Sequence, residues 1–315
     1  MSTNPADPAQ ILFAATEARW NTYETPLRDA FDEIDLSYRL ATELPPDQVD
    51  FIIYAPNGPV QDFAPFTRLR AVLNLWAGVE NVAGNDTLTA PLARMVDPSL
   101  TQGMVEWVLG HTLRHHLGMD AHIVNPGNDW TPAAPPLAED KRVTILGLGE
   151  LGLACAEALH RVGFQVAGWS RSRKEAPGII CLHGQDGLVD ALRRADILVL
   201  LLPLTSQTEN LLNADRLAQL PSGSVILNPG RGALIDDDAL LEALKRNVAH
   251  ATLDVFRTEP LPQDHPFWHH PQVTVTPHIA SETRPRSAAR VIAENVRRGI
   301  AGEPLLHLVD RTAGY

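Results

Sequence analysis

Lys141-Arg-Val-Thr-Ile-Leu-Gly-Leu-Gly-Glu-Leu-Gly152 begins as a short apolar, β-rich run and passes at once into a turn with widely spaced glycines. Arg142–Leu146 has the composition of a strand buried on both faces. In the hexapeptide Gly147–Gly152 the first glycine permits a tight bend, the second lets backbone approach a pyrophosphate, and the third lets a helix pack on the strand. Leu153–Val162 supplies helix formers with apolar residues at helical spacing, Gly163 stands where a helix stop belongs, and Phe164–Trp169 returns as a strand. This succession predicts a dinucleotide-binding unit with the phosphates at a helix N-terminus, where unpaired N–H groups and the dipole favour negative charge. Gly147, Gly149, Glu150, Leu151 and Gly152 are its candidate phosphate contacts.

The end of the second strand selects the cofactor. A carboxylate there would bond the ribose 2′-OH of NAD, whereas arginines accept the 2′-phosphate of NADP. The sequence reads Trp169-Ser-Arg-Ser-Arg-Lys174, with no acid before Glu175. Ser170, Arg171, Ser172 and Arg173 therefore predict NADP(H) in preference to NAD(H), since guanidiniums suit a phosphate.

Composition bounds the rest. The 315 residues, 44% hydrophobic and 20% charged, are enough for two ordinary domains. A net charge of -12 argues against a nucleic-acid surface, which needs a basic field. Cys155 and Cys181 have no C-x-x-C partner and fit a reduced compartment. Met1–Asp7 lacks the features of a secretory signal, and the longest apolar run, Ile197–Leu202, is too short for a bilayer, so a cytoplasmic protein without membrane contact is expected.

Outward from the glycine turn the pattern stays α/β. Strands are predicted over Gln10–Ala15, Asp50–Tyr54 and Leu69–Leu75, with a helix over Thr22–Ile34. Small residues after the third of these strands, in Trp76-Ala77-Gly78, would leave backbone N–H groups accessible where ligands bind in parallel sheets. A long helix over Gly103–Leu117 carries His111, His115 and His116; the first two share a face, but no third ligand follows, and a polar face or interface is the better reading than a metal site. Asn125–Asp140 reads as a surface connection. Beyond the βαβ unit come strands Gly178–His183, Ala195–Leu202, Gly223–Asn228, His250–Val255 and Gln272–Thr276, and helices Gly187–Arg194, Asp236–Arg246 and Ser287–Arg298. The loop from Leu202-Pro203 to Thr208 is placed to close over a nicotinamide.

Three polar residues fall where strands give way to loops on the glycine-turn edge: Arg231, Glu259 and His278. A guanidinium can hold a carboxylate and polarise a ketone, an imidazolium can donate a proton, and a carboxylate can orient the imidazole. Each alone is ambiguous: an ion-pair partner, a turn acid before Pro260, a strand-end histidine.

The ordered set Gly147–Gly152, Asn228-Pro-Gly-Arg-Gly-Ala-Leu-Ile-Asp236, Leu253-Asp-Val-Phe-Arg-Thr-Glu-Pro260 and Thr276-Pro-His-Ile-Ala280 resembles the D-isomer-specific 2-hydroxyacid dehydrogenase family. The basic loop, Pro262–Pro271 with Trp268, and Leu308–Tyr315 are similar to its glyoxylate/hydroxypyruvate reductase branch. The resemblance implies two Rossmann- or flavodoxin-like doubly wound domains with an active-site cleft between them, a substrate domain of residues 1–100 plus 285–315 and a dinucleotide domain of 101–284. It implies NADPH-dependent reduction of small 2-keto acids to 2-hydroxy acids: glyoxylate to glycolate, hydroxypyruvate to D-glycerate. Arg231 and the Trp76–Gly78 amides would bind substrate, His278 would be the acid/base and Glu259 its partner. Asp254 would lie near the nicotinamide carboxamide, and Trp268 would face substrate. A homodimer through the nucleotide domain is also implied. Two departures concern substrate choice: Trp76 stands where relatives more often carry a small residue, and Pro229 stiffens the Arg231 loop. A bulkier acid such as phenylpyruvate, or a dinucleotide-sensing corepressor-like module, are the alternatives.

Overall fold

The computed structural model describes residues 7–125, 127–128 and 130–311; Met1–Ala6 and the end of the Leu308–Tyr315 stretch lie outside the described residues. The chain divides into two compact units, residues 1–100 with 283–315, and residues 101–282.

In the first unit β1 (Ala9–Ala14), α1 (Glu17–Asp32), β2 (Tyr38–Ala41), β3 (Phe51–Tyr54), β4 (Ala71–Asn74), the short α2 (Glu80–Ala83) and β5 (Leu92–Ala93) follow in order. The sheet order is β2-β1-β3-β4-β5, with all pairings parallel. This is the flavodoxin-type order, whose reversal beside β1 marks the ligand-binding edge. Phe51–Tyr54 is buried throughout, as a strand covered on both faces requires. Helix α1 starts at Glu17 rather than Thr22, because the Thr16 hydroxyl accepts the Arg19 N–H at 3.4 Å and caps it. The edge strands β2 and β5 have no counterpart in the sequence reading; four and two residues long, they are too short to show a period.

The second unit contains α3 (Pro98–His116), α4 (Asp120–Ile123), β6 (Arg142–Leu146), α5 (Glu150–Val162), β7 (Gln165–Ser170), β8 (Ile180–His183), α6 (Gly184–Arg194), β9 (Ile197–Leu200), α7 (Ala214–Leu217), β10 (Ser224–Asn228), α8 (Asp237–Leu244), β11 (Val248–Leu253) and β12 (Val273–Val275). Its seven strands run β12-β11-β10-β9-β6-β7-β8, all parallel. Because the strands are parallel, every loop leaving a carboxyl end opens on one edge, and the reversal of order between β6 and β9 sets the glycine turn at the topological switch point. Helix α3 begins before Gly103, because Asp97 Oδ1 accepts the Ser99 and Leu100 N–H groups at 2.8 and 3.2 Å and Pro98 takes the first helical position. Residues of the 125–140 connection that are described are largely exposed.

Helix α9 (Pro285–Ala301) returns the chain to the first unit. Its Ala288, Ala289, Ile292, Ala293 and Val296 enter the core with Leu27 and Phe31 of α1. Burying an aliphatic side chain of that size contributes about 1.5–3 kcal/mol, so Ile292 and Val296 fix the helix on this sheet. No helix among the described residues is long and apolar enough to cross a membrane.

Candidate active site

The glycine turn has the shape its spacing demands. Gly147 has φ +110°, open to glycine without strain, and a Cβ on it would meet the Leu201 carbonyl. A Cβ on Gly152 would strike the Gly147 carbonyl oxygen, so α5 packs against the turn only because position 152 has no side chain. A Cβ on Gly149 would meet nothing within 4 Å, and this residue precedes the first residue of the 13-residue α5. A crowded first and third glycine with open space at the second is what a pyrophosphate needs at a helix N-terminus.

At the end of β7, Ser170 Oγ donates to the Ser172 carbonyl at 2.7 Å and folds the basic loop back on itself. Arg173 reaches Glu175 at only 3.5 Å, with both side chains largely exposed, so that pair does not neutralise the loop. Arg173, Lys174, Glu175 and His183 line a recess of about 340 Å³ beside it. No acid precedes Glu175 in this loop, and the guanidinium and ammonium groups ahead of it suit a 2′-phosphate. Beyond β9, the Thr208 hydroxyl donates to the Pro203 carbonyl at 2.7 Å and accepts the Thr205 N–H at 2.8 Å, which closes the 203–208 loop on its own backbone.

Glu259 and His278 meet. His278 Nδ1 lies 2.7 Å from Glu259 Oε2, while Glu259 Oε1 accepts the Phe256 N–H at 2.9 Å. An ionised carboxylate only accepts, so Nδ1 carries the proton and Nε2 is the atom left to give or take another. His278 itself has φ +54°, a left-handed conformation uncommon outside glycine. Asp254, fully buried, holds it there: the carboxylate accepts Thr276 Oγ1 at 2.5 Å and the Ile279 and Ala280 N–H groups at 2.9 Å each. The His278 N–H is bonded to the Asp254 carbonyl at 2.9 Å. Three donors on this carboxylate satisfy its oxygens away from water.

Arg231 leaves β10 in a loop fixed by Asn228. The Asn228 amide donates to the Arg231 carbonyl at 2.9 Å and accepts the Gly230 N–H at 3.1 Å, and Arg231 Nη1 donates to the Gly230 carbonyl at 2.7 Å. A Cβ on Gly232 would strike the Phe256 backbone, so the Arg231 and Glu259 segments pack main chain to main chain. Trp268 is half exposed, and its Nε1 donates to the Pro262 carbonyl at 2.9 Å. In the first unit the buried Asn74 Nδ2 donates to the Trp76 and Gly78 carbonyls at 2.9 and 2.8 Å, which shapes the Trp76–Gly78 loop.

The α3 histidines serve packing. His115 Nε2 is 2.9 Å from Thr252 Oγ1 and its ring, tilted by 45°, lies 4.8 Å from that of His250, whose Nε2 is 2.9 Å from Thr274 Oγ1. Burial holds His115 down to about 3 and His250 to about 4, so both are neutral in the fold. Among the described residues no group of His, Cys, Asp and Glu is arranged to hold a metal ion.

The holding residues Asn74 and Asn228 carry no weight of their own in the sequence reading. Their signal was available: each is a polar residue closing an otherwise apolar strand, Ala71-Val-Leu-Asn74 and Ser224-Val-Ile-Leu-Asn228.

Residues 109–280 match the model of the D-isomer specific 2-hydroxyacid dehydrogenase, NAD binding domain. The chain belongs to the D-isomer-specific 2-hydroxyacid dehydrogenase family and is an oxidoreductase. Within the family it is 39% identical over 257 residues to a glyoxylate/hydroxypyruvate reductase A from Serratia proteamaculans, covering 79% of this chain and 82% of that one. Among solved structures it is similar to a D-isomer specific 2-hydroxyacid dehydrogenase from Xanthobacter autotrophicus Py2 in complex with NADPH and MES, with TM-score 0.91 and 39% identity over 98% of this chain and 100% of that chain. It is also similar to an NADPH-dependent glyoxylate/hydroxypyruvate reductase from Sinorhizobium meliloti in complex with NADP and sulfate, with TM-score 0.85 and 33% identity over the same shares.

Proposed function

We propose that this chain reduces small 2-keto acids with NADPH, glyoxylate to glycolate and hydroxypyruvate to D-glycerate. The observation that carries the reading is the 2.7 Å contact between His278 Nδ1 and Glu259, at the carboxyl edge that also presents the glycine turn. Gly147–Gly152 would hold the pyrophosphate, Arg171 and Arg173 the 2′-phosphate, and Leu202-Pro203 the nicotinamide side. When bound, the cofactor supplies the hydride. NADPH and NADP in the solved relatives support this choice.

The chain's own residues supply orientation and charge. His278 gives a proton from Nε2 to the developing alkoxide, and Glu259 stabilises the imidazolium by holding Nδ1–H. Arg231 takes the substrate carboxylate, with Trp268 facing substrate. Asp254 acts by holding the His278 loop in its left-handed conformation. His278→Gln is expected to abolish turnover while NADPH still binds; an active variant overturns the assignment.

The same reading includes a cytoplasmic homodimer joined through the nucleotide-binding unit. Ile123, Val124, Trp130 and Leu137 are each more than half exposed in one stretch following α3, an apolar surface that a second copy would cover. Sedimentation of the wild type as a dimer, and of Ile123→Asp/Val124→Asp as a monomer, checks it; a monomeric wild type refutes it.

A further inference from the structure

The turn that carries Glu259 is tied to its surroundings by a side chain that the proposed chemistry does not use. Arg257, two residues before Glu259, points its guanidinium toward the segment that follows Arg231. Its Nη2 donates to the Ile235 carbonyl at 2.7 Å and to the side-chain oxygen of Asn210. Its Nη1 and Nε lie 3.8 and 3.9 Å from the carboxylates of Glu209 and Asp237. Residues 210–212 are in turn joined to 233–236, with Asn210 N–H on the Ala233 carbonyl at 2.8 Å and Leu212 N–H on the Leu234 carbonyl at 2.9 Å. One guanidinium therefore gathers three loops of the carboxyl edge: the one after β9, the one bearing Arg231 and the one bearing Glu259.

The Glu259 end of this turn is held through its carboxylate. Its carboxylate is bonded inside the turn by the Phe256 N–H at 2.9 Å and outward by His278 at 2.7 Å. The main-chain contact between Gly232 and Phe256 sets the distance between the Arg231 and Glu259 segments. Arg257 adds a directional polar tie between them. Its carboxylate partners are distant and partly solvated, so as ion pairs they contribute little to stability. The hydrogen bonds to Ile235 and Asn210 are the directional ones, and both are donated by the one nitrogen Nη2.

We propose that Arg257 is a positioning residue for the reduction: it fixes the Glu259 turn against the Arg231 segment and so holds the Glu259 carboxylate on His278 Nδ1. This rests on the roles assigned to Glu259 and His278 above. A displacement of about 1 Å in such a group can lower a rate about 100-fold.

The test compares Arg257→Ala, Arg257→Lys, His278→Gln and wild type. With glyoxylate and NADPH, Arg257→Ala is expected to lower kcat about 10- to 100-fold while KM for NADPH stays close to wild type. The basic limb of its pH–rate profile is expected at lower pH, because a proton donor without its carboxylate neighbour gives up the proton sooner. Arg257→Lys should recover part of the loss. Independently of turnover, the His278 ring signal, assigned by its absence in His278→Gln, should titrate at lower pH in Arg257→Ala. Unchanged kcat and titration, or a loss that follows thermal stability with the pH profile intact, overturns the proposal. An active His278→Gln or a wild type silent toward keto acids defeats the functional reading instead, and the ring titration then still decides the role of Arg257.

Discussion

Acidification from pH 7 to pH 5 should destabilise the nucleotide-binding unit through two histidines that play no part in the chemistry. The His115 and His250 rings pack against each other at a tilt, each with Nε2 on a threonine hydroxyl. His111, Arg114, Asp120 and His270 are the other charged or titratable groups that act on the pair. Burial, the leading cause, lowers His115 from 6.5 to about 3 and His250 from 6.5 to about 4. Both folded values lie below the unfolded one, so the unfolded chain binds protons first. The stabilisation is complete above about pH 6.5 and is lost as pH falls below it. Between pH 7 and 5 each site loses up to about 2 kcal/mol; halved because both rings are partly solvated, the pair gives about 2 kcal/mol. For a unit of this size that is a fall in Tm of about 4–8 °C. The half-buried Asp237 is raised by its partial desolvation and works in the opposite direction, while the lowered carboxylates Asp120 and Asp196 lose stability only at still lower pH. Differential scanning calorimetry at constant ionic strength measures the slope, and His115→Gln/His250→Gln should flatten it. A Tm that is level between pH 7 and 5, or a double variant with the wild-type slope, refutes the reasoning.

Asp254→Asn keeps one acceptor oxygen but puts an NH2 opposite the Ala280 N–H that Oδ2 now accepts, with an expected cost of about 1–3 kcal/mol, seen as a lower denaturant midpoint together with a fall in kcat. Gly152→Ala drives a methyl into the Gly147 carbonyl; overpacking of about 1–3 kcal/mol should weaken NADPH binding by about tenfold or more in titration calorimetry. Replacing Arg171 and Arg173 together by alanine removes charge-assisted bonds worth about 1.5–3 kcal/mol each, so the ratio of kcat/KM for NADPH over NADH should fall by at least about 100-fold. An unchanged ratio would place the 2′-phosphate elsewhere.

Much of this was legible before any coordinates. The strand β6, its turn and α5 announce themselves because a five-residue apolar strand and three glycines each answer to a single physical constraint. Loop positions of Arg231, Glu259 and His278 follow from counting strands in a parallel sheet. The start of α1 did not, since Thr16 caps it before the apolar period becomes visible and Pro26 sits inside it. Nor did the pairing of His115 with His250, which depends on α3 lying over β11, a contact between residues far apart in the chain. The role of Arg257 was out of reach for a related reason: a guanidinium bonded to a main-chain carbonyl leaves no trace in the type of residue it meets. Strand-closing asparagines were within reach, because an amide at the end of an apolar run has few other duties.

The most direct measurement is oxidation of NADPH by the purified chain, followed by loss of reduced-nicotinamide absorbance, with glyoxylate, hydroxypyruvate, pyruvate and phenylpyruvate in parallel and NADH as control. The account predicts fast turnover of the first two with NADPH and little with NADH. Turnover of phenylpyruvate alone would keep the Arg231, Glu259 and His278 chemistry but contradict the assigned substrates. Silence on all four acids, with NADPH still bound, would contradict the enzyme reading itself.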